Sequence, residues 1–205
     1  MKPILTRFRD SYEQTTLPLG RICLRLGLSP DTLTIISLAI GGLSAFLASR
    51  SAFMWSVVTI LLMGAADALD GATARAGKLA GHAGTVLDHV VDRYAEFLIL
   101  LGIMLSGAAS PGWTMFALFG MIMASYVRAR AEATGLVASC SVGFAGRQEK
   151  FALLIAGMLI QQWWPDLHVL QAAVIAVGVL SHITAVQRLL YARRVIRAQE
   201  HRPTA

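Results

Sequence analysis

The chain has 205 residues, 56% of them hydrophobic and only 15% charged, with a net charge of +6. Together with a mean hydropathy of +0.61, this balance excludes an ordinary soluble domain and points to an integral membrane protein. Divided into spans of about 20 residues with short connections, the length leaves room for roughly six helices and no separate soluble domain.

Over residues 3–28 apolar positions (Ile4, Phe8, Leu17, Ile22, Leu24, Leu26) alternate with Arg7, Arg9, Arg21 and Arg25 at helical spacing. The pattern predicts an amphipathic interfacial helix, broken near Pro18. This segment lacks the uninterrupted apolar core and small-residue cleavage site of a secretory signal. In LSPDTLTIISL, Ser29 or Asp31 beside Pro30 can cap a helix start, which opens a first span over about residues 32–47. A second span (52–74) and a third (85–105) are joined by a short loop and form a hairpin. SGAASPGW punctuates before a fourth span (113–133). TGLVASCSVGFAGRQEK is a loop, a fifth span covers 149–162, WWPDLH turns the chain and a sixth covers 170–191. The polar tail ARRVIRAQEHRPTA is expected to fray beyond the last helical turn. The fold class is therefore all-α, six transmembrane helices behind an N-terminal interfacial helix, in one membrane domain, 1–205: a juxtamembrane helix (1–28), a six-helix bundle (29–193) and a tail (194–205).

Cys23 and Cys140 lie far apart without CxxC spacing, which suits small buried residues and disfavours a disulfide or thiolate metal site. The cations fall at one end of the predicted spans: Lys2, Arg7, Arg9, Arg21 and Arg25, then Arg75 and Lys78, then Arg128, Arg130, Arg147 and Lys150, then Arg188, Arg193, Arg194, Arg197 and Arg202. The opposite loops carry only Arg50. The positive-inside rule puts both termini on the cytoplasmic side of the cell membrane. The charge of +6 is spread over helix ends facing anionic lipid and an anionic substrate, and is not a nucleic-acid signal.

The stretch DALDGATARAGKLAGHAGTVLDHVVD places four aspartates next to apolar runs. Asp67 and Asp70 are three apart and Asp88 and Asp92 four apart, so each pair shares one side of its helix. The hairpin lets the two pairs face each other. A lone carboxylate inside a bilayer costs roughly 2.5 to 3.5 kcal/mol, and four together repel. Hard oxygens without nearby thiolates favour Mg²⁺, Mn²⁺ or Ca²⁺ over zinc, and four suffice for two ions. His89 projects about 100° away from Asp88 and His82 lies in the loop, so neither is expected as a ligand. Ion pairing with Arg75, Lys78 and Arg93 accounts poorly for four acids. Gly64, Gly71, Ala72, Ala74, Gly81 and Gly84 remove bulk around the carboxylates, leaving room for phosphates or for close helix packing.

Asp67-x-x-Asp70-Gly71-x-x-Ala74-Arg75, eight residues, then Gly84-x-x-x-Asp88-x-x-x-Asp92 resembles the signature of the CDP-alcohol phosphotransferase (CDP-alcohol phosphatidyltransferase) family at every fixed position. The resemblance implies transfer of a substituted phosphate from a CDP-linked lipid to an alcohol, with release of CMP and with Mg²⁺ or Mn²⁺, two ions, held by the aspartates. It implies that Asp67, Asp70 and Asp88 hold metal, and that Asp92 completes the second site and acts as general base. It further implies that Asp67, Gly71, Ala74, Arg75, Gly81, Gly84 and the segment Asp31, Thr32, Leu33 and Thr34 contact the CDP-lipid, and that the protein is a homodimer. Where the family often has Thr or Ser three residues before Gly84, this chain has Gly81.

A second basic group comprises Arg128 and Arg130 in SYVRARAEATG, Arg147 and Lys150 in GRQEK, and Arg188 in AVQRLL. Snorkelling cations would read the same way singly. Arg128, Lys150 and Arg188, however, come from three helices at one face, which suits a phosphorylated acceptor. SYVRARAEATGL and VQRL resemble the branch that uses inositol phosphate, the phosphatidylinositol-phosphate and archaetidylinositol-phosphate synthases; its ERPER stretch reads GRQEK here. The implied donors are CDP-diacylglycerol or CDP-archaeol. The competing readings are another acceptor such as glycerol phosphate, a membrane prenyltransferase, and a cation or proton transporter. Residues 100–205 hold no echo of the aspartate cluster, as a repeat-built transporter would require.

Overall fold

The computed structural model describes residues 9–79 and 81–200, with side chains from Thr16 onward. Among them run seven α-helices: α1 (Arg9–Arg25), α2 (Pro30–Ser49), α3 (Phe53–Gly77), α4 (His82–Leu105), α5 (Pro111–Glu132), α6 (Arg147–Trp163) and α7 (Val169–Glu200), with a 3-10 turn at Pro165–Leu167. Lys2, Ile4, Arg7, Phe8 and Arg202 lie outside the described residues.

Local chemistry sets the helix ends. Ser29, not Asp31, caps α2: its Oγ accepts the Thr32 amide at 3.1 Å, and Pro30 occupies the first turn, where no amide donor is needed. α3 stops at Lys78, which takes a left-handed conformation while the Leu79 amide closes back on the Ala74 carbonyl. Glu149 reaches back to the Gly146 amide at 2.9 Å and starts α6.

Two expectations are corrected. Pro18 does not break α1, which continues through it; Pro18 lies on the exposed side, while Thr16, Gly20 and Cys23, at spacings of four and three, are buried. Gly20 lets α1 lie against α3: a Cβ there would come 2.4 Å from the Ala72 carbonyl oxygen. The tail does not fray after residue 191. α7 runs on to Glu200 because Ala192, Val195 and Ile196 pack with Ala131, Val137, Cys140 and Val142 in a small second core.

The main core lies away from the acidic stretch and joins Phe53, Val57, Ile60, Ile99, Leu100, Ile103, Met121, Leu154, Met158, Val174 and Val177. α2 is wedged between the acid-bearing helices. It packs more extensively on both α3 and α4 than those two pack on each other, so they form a splayed pair and not a tight hairpin. Gly102 makes the α2–α4 approach possible, since a Cβ there would meet the Ala45 carbonyl oxygen at 2.3 Å. Ser44 and Ser56 hydrogen-bond across α2 and α3 at 2.9 Å, an interhelical polar contact suited to an apolar surround.

Among the described residues, three helical stretches are long and apolar enough to cross a membrane: α2, α3 and Pro165–Glu200. α4 carries Asp88, Asp92, Arg93 and Glu96 along its length, and α6 has only 17 residues. Large apolar side chains such as Leu61, Leu62, Phe119 and Val186 are exposed around the bundle, as lipid contact requires. The chain is a membrane protein. Cys23 and Cys140 are both free and buried.

Candidate active site

Three of the four aspartates converge. Asp67 and Asp70 on α3 and Asp88 on α4 each offer a carboxylate oxygen, all within 4.8 Å of one another. At that separation each charged pair repels by roughly 3 to 4 kcal/mol at an effective dielectric of about 20. Asp70 is buried at 8% exposure, and its Oδ2 accepts the Thr34 hydroxyl at 2.6 Å. That contact from α2 orients the carboxylate, as outer-sphere partners of metal ligands do. All three donors are hard oxygens, and neither histidine joins them: His82 and His89 are exposed. The donor set fits Mg²⁺ or Mn²⁺.

Asp92 takes a different partner. Its Oδ1 lies 2.7 Å from Nη1 of Arg147, at the start of α6, and the same nitrogen lies 3.4 Å from Asp67 Oδ2. Arg147 also sits over the Phe151 ring at 5.4 Å. Arg93 is 3.7 Å from Asp92 Oδ2 and 2.7 Å from Glu96 Oε1, and it donates to the Ser125 hydroxyl on α5. Sequence reasoning missed Glu96, 3% exposed, and assigned Arg147 to the cations only. The available signal was Glu96 at four residues beyond Asp92, the spacing that already joined Asp88 to Asp92.

The small residues around the acids do not all serve packing. Nothing lies within 4 Å of a Cβ added at Gly64. A Cβ at Gly71 would meet the Arg75 guanidinium at 3.2 Å, and one at Gly84 would stand 3.6 Å from Asp31 Oδ1. Gly81, exposed, is the extended residue before α4, and Ala74 is partly exposed. Arg75 itself reaches the Thr16 hydroxyl on α1 at 3.5 Å. Asp31 and Thr32 are exposed, whereas Leu33 is buried at 5% exposure, its amide donating to the Ser29 carbonyl at 3.2 Å.

Two basic residues beyond the signature, Arg128 and Arg188, have partners within the protein. Arg128 pairs with Glu132 one turn on at 3.1 Å, and the same Glu132 oxygen accepts the Cys140 amide at 2.9 Å. Arg188 donates from Nε to the Val142 carbonyl at 3.0 Å and from Nη1 to the Ala124 carbonyl at 2.7 Å. Lys150 is buried at 5% exposure and feels the charges of Glu96, Arg188 and Arg93. Thr184 and Gln187 complete the α7 contacts to the loop between α5 and α6 through Ala145 and Phe144.

The chain is thus an all-helical membrane protein whose three crowded carboxylates could hold a metal ion. Residues 28–194 match the model of the CDP-alcohol phosphatidyltransferase family, and the chain belongs to that family and is a transferase. It is 32% identical over 198 residues to an archaetidylinositol phosphate synthase of Methanothermobacter thermautotrophicus, covering 93% of this chain and 91% of that one. It is also 32% identical to a phosphatidylinositol phosphate synthase of Mycobacteroides abscessus, over 88% of this chain and 84% of the relative. The fold is similar to that of the Mycobacterium tuberculosis phosphatidylinositol phosphate synthase solved with manganese and citrate. There the TM-score is 0.79 at 29% identity, covering 87% of this chain and 88% of the other. The same enzyme solved with CDP-DAG bound superposes with a TM-score of 0.78, also at 29% identity, covering 87% and 94%.

Proposed function

We propose that this transferase moves a phosphatidyl or archaetidyl group from a CDP-linked lipid to a hydroxyl of inositol phosphate, releasing CMP. The observation that carries the reading is the convergence of Asp67, Asp70 and Asp88 within 4.8 Å, in a chain whose relatives are named as archaetidylinositol phosphate and phosphatidylinositol phosphate synthases. Those three aspartates, with Asp92, would hold two divalent ions, Mg²⁺ or Mn²⁺. Bound there, the metal would neutralise the diphosphate and make the phosphorus under attack more electrophilic. Asp92 would accept the proton of the acceptor hydroxyl as its oxygen bonds to the lipid-bearing phosphorus, while the bond from that phosphorus to CMP breaks. Gly71, Ala74, Arg75, Gly81 and Gly84, with Asp31 to Thr34, would line the nucleotide. Arg128, Lys150 and Arg188 would hold the acceptor's phosphate.

In this reading the single domain spans the cell membrane six times, α2 to α7, and pairs as a homodimer. Both termini and the cleft lie on the cytoplasmic side. The crowding of Arg75, Lys78, Arg128, Arg130, Lys150, Arg193 and Arg194 toward one end, against Arg50 at the other, supports that orientation. α1 would lie in the interface, its exposed Leu19 and Ile22 beside Arg21 and Arg25.

An acceptor panel tests the proposal. CMP release is measured from CDP-diacylglycerol and from CDP-archaeol with Mg²⁺, offering inositol phosphate, glycerol phosphate, serine and free inositol in turn. Inositol phosphate is expected to support the fastest turnover, and faster release with any other acceptor overturns the assignment.

A further inference from the structure

Asp92 and Glu96 share one face of α4, and two guanidiniums lie against them. Arg93 Nη2 is 2.7 Å from Glu96 Oε1 and 3.7 Å from Asp92 Oδ2. Arg147 puts Nη1 2.7 Å from Asp92 Oδ1 and Nε 3.7 Å from Glu96 Oε1. Two acids face two permanent cations, and the buried Lys150 adds a third positive charge near Glu96. The Glu96 side chain is 2% exposed, and its Oε2 has no hydrogen-bond partner among the described residues. A carboxylate so deeply buried is costly to maintain, yet Glu96 belongs neither to the converging triad nor to the positions of the signature.

Counting charges gives it a task. On the reading above, Asp92 must offer its oxygens to a divalent cation and to a proton, yet both stand beside guanidiniums. Glu96 is the other acid that Arg93 and Arg147 both reach. We propose that Glu96 is a positioning residue: it is the nearer acid for Arg93 and shares the charge of Arg147, and so lowers the cationic competition that a metal meets at Asp92. Without Glu96, Arg93 would have Asp92 as its nearest acid and would join Arg147, which already sits 2.7 Å from Asp92. The metal would then compete with two cations for one carboxylate. This inference rests on the proposed role of Asp92 as a metal ligand.

Mn²⁺ binding to the purified full-length protein, followed by electron paramagnetic resonance without either substrate, tests it independently of turnover. Glu96→Gln, which keeps the shape and removes the charge, is expected to weaken Mn²⁺ binding about tenfold or more. Glu96→Asp is expected to retain most of the affinity. Adding Arg147→Gln to Glu96→Gln removes the main competitor and is expected to bring affinity back to within about threefold of the parent, a non-additivity that contacting residues show. A merely structural Glu96 would give no such recovery, and a chain that Glu96→Gln had unfolded would not be rescued by a second change. Affinity of Glu96→Gln within about twofold of the parent, or a double variant as weak as the single one, overturns the inference. Asp92→Asn separates the two levels: if it leaves Mn²⁺ binding intact, the ligand role of Asp92 fails and the inference with it. If Asp92→Asn weakens binding while Glu96→Gln does not, only the inference fails.

Discussion

The two halves of the cleft handle charge in opposite ways. On the α3–α4 side like charges are driven together: Asp67, Asp70 and Asp88 converge, and the nearest stabilising contact on Asp70 is a neutral hydroxyl. On the α5–α7 side cations are already partnered within the protein: Arg128 is tied to a carboxylate and Arg188 to backbone carbonyls. Crowded, incompletely compensated acids are poised for a cation that must come from outside. Cations already hydrogen-bonded serve the architecture as well as any ligand, because Arg188 also pins the loop between α5 and α6. Arg147 belongs to both halves, entering from α6 and ending on Asp92 and Asp67.

The sharpest way to break this contrast is at the triad. Asp70→Asn removes a charge from the crowded side and is expected to abolish Mn²⁺ binding and turnover together, measured by metal titration and CMP release. Asp92→Asn should lower kcat by roughly 10²- to 10⁴-fold, with some CDP-lipid binding kept; parent-like kcat would remove Asp92 from the base role. Arg188→Ala tests the other half. It is expected to raise KM for inositol phosphate roughly 10- to 100-fold, as loss of charge-assisted hydrogen bonds does, and also to speed proteolysis within residues 133–146. A change in proteolysis alone would make Arg188 a brace and not a ligand. Arg128→Ala is expected to have the smallest effect, below about fivefold on KM for the acceptor, because it removes a half-exposed pair of low intrinsic worth. A larger effect would show that Arg128 contacts the acceptor directly.

Much of the acidic half was legible in the chain. Spacings of three and four place Asp67 with Asp70 and Asp88 with Asp92 on common faces, whatever the helices pack against. Apolar runs located the helices to within a few residues, and Ser29 beside Pro30 marked the start of α2. The misses have a common cause. Pro18 predicts a break because it removes a backbone donor, but α1 continues through it and packs closely on α3 at Gly20. The arginines of the tail predict fraying, whereas Ala192, Val195 and Ile196 give it a face to bury. Arg147 could be recognised as a cation, but its partners are far away in sequence.

The amino-acid order by itself determined the membrane class, the positions of most helices, and the aspartate pattern that marks the family, because helical period and hydropathy are local properties. Tertiary structure decided that α2 would wedge between α3 and α4, that Asp92 would face Arg147 while its three companions converge, and that Glu96 would be buried beside two arginines. Those outcomes depend on how helices rotate and cross, which is set by contacts between residues distant along the chain.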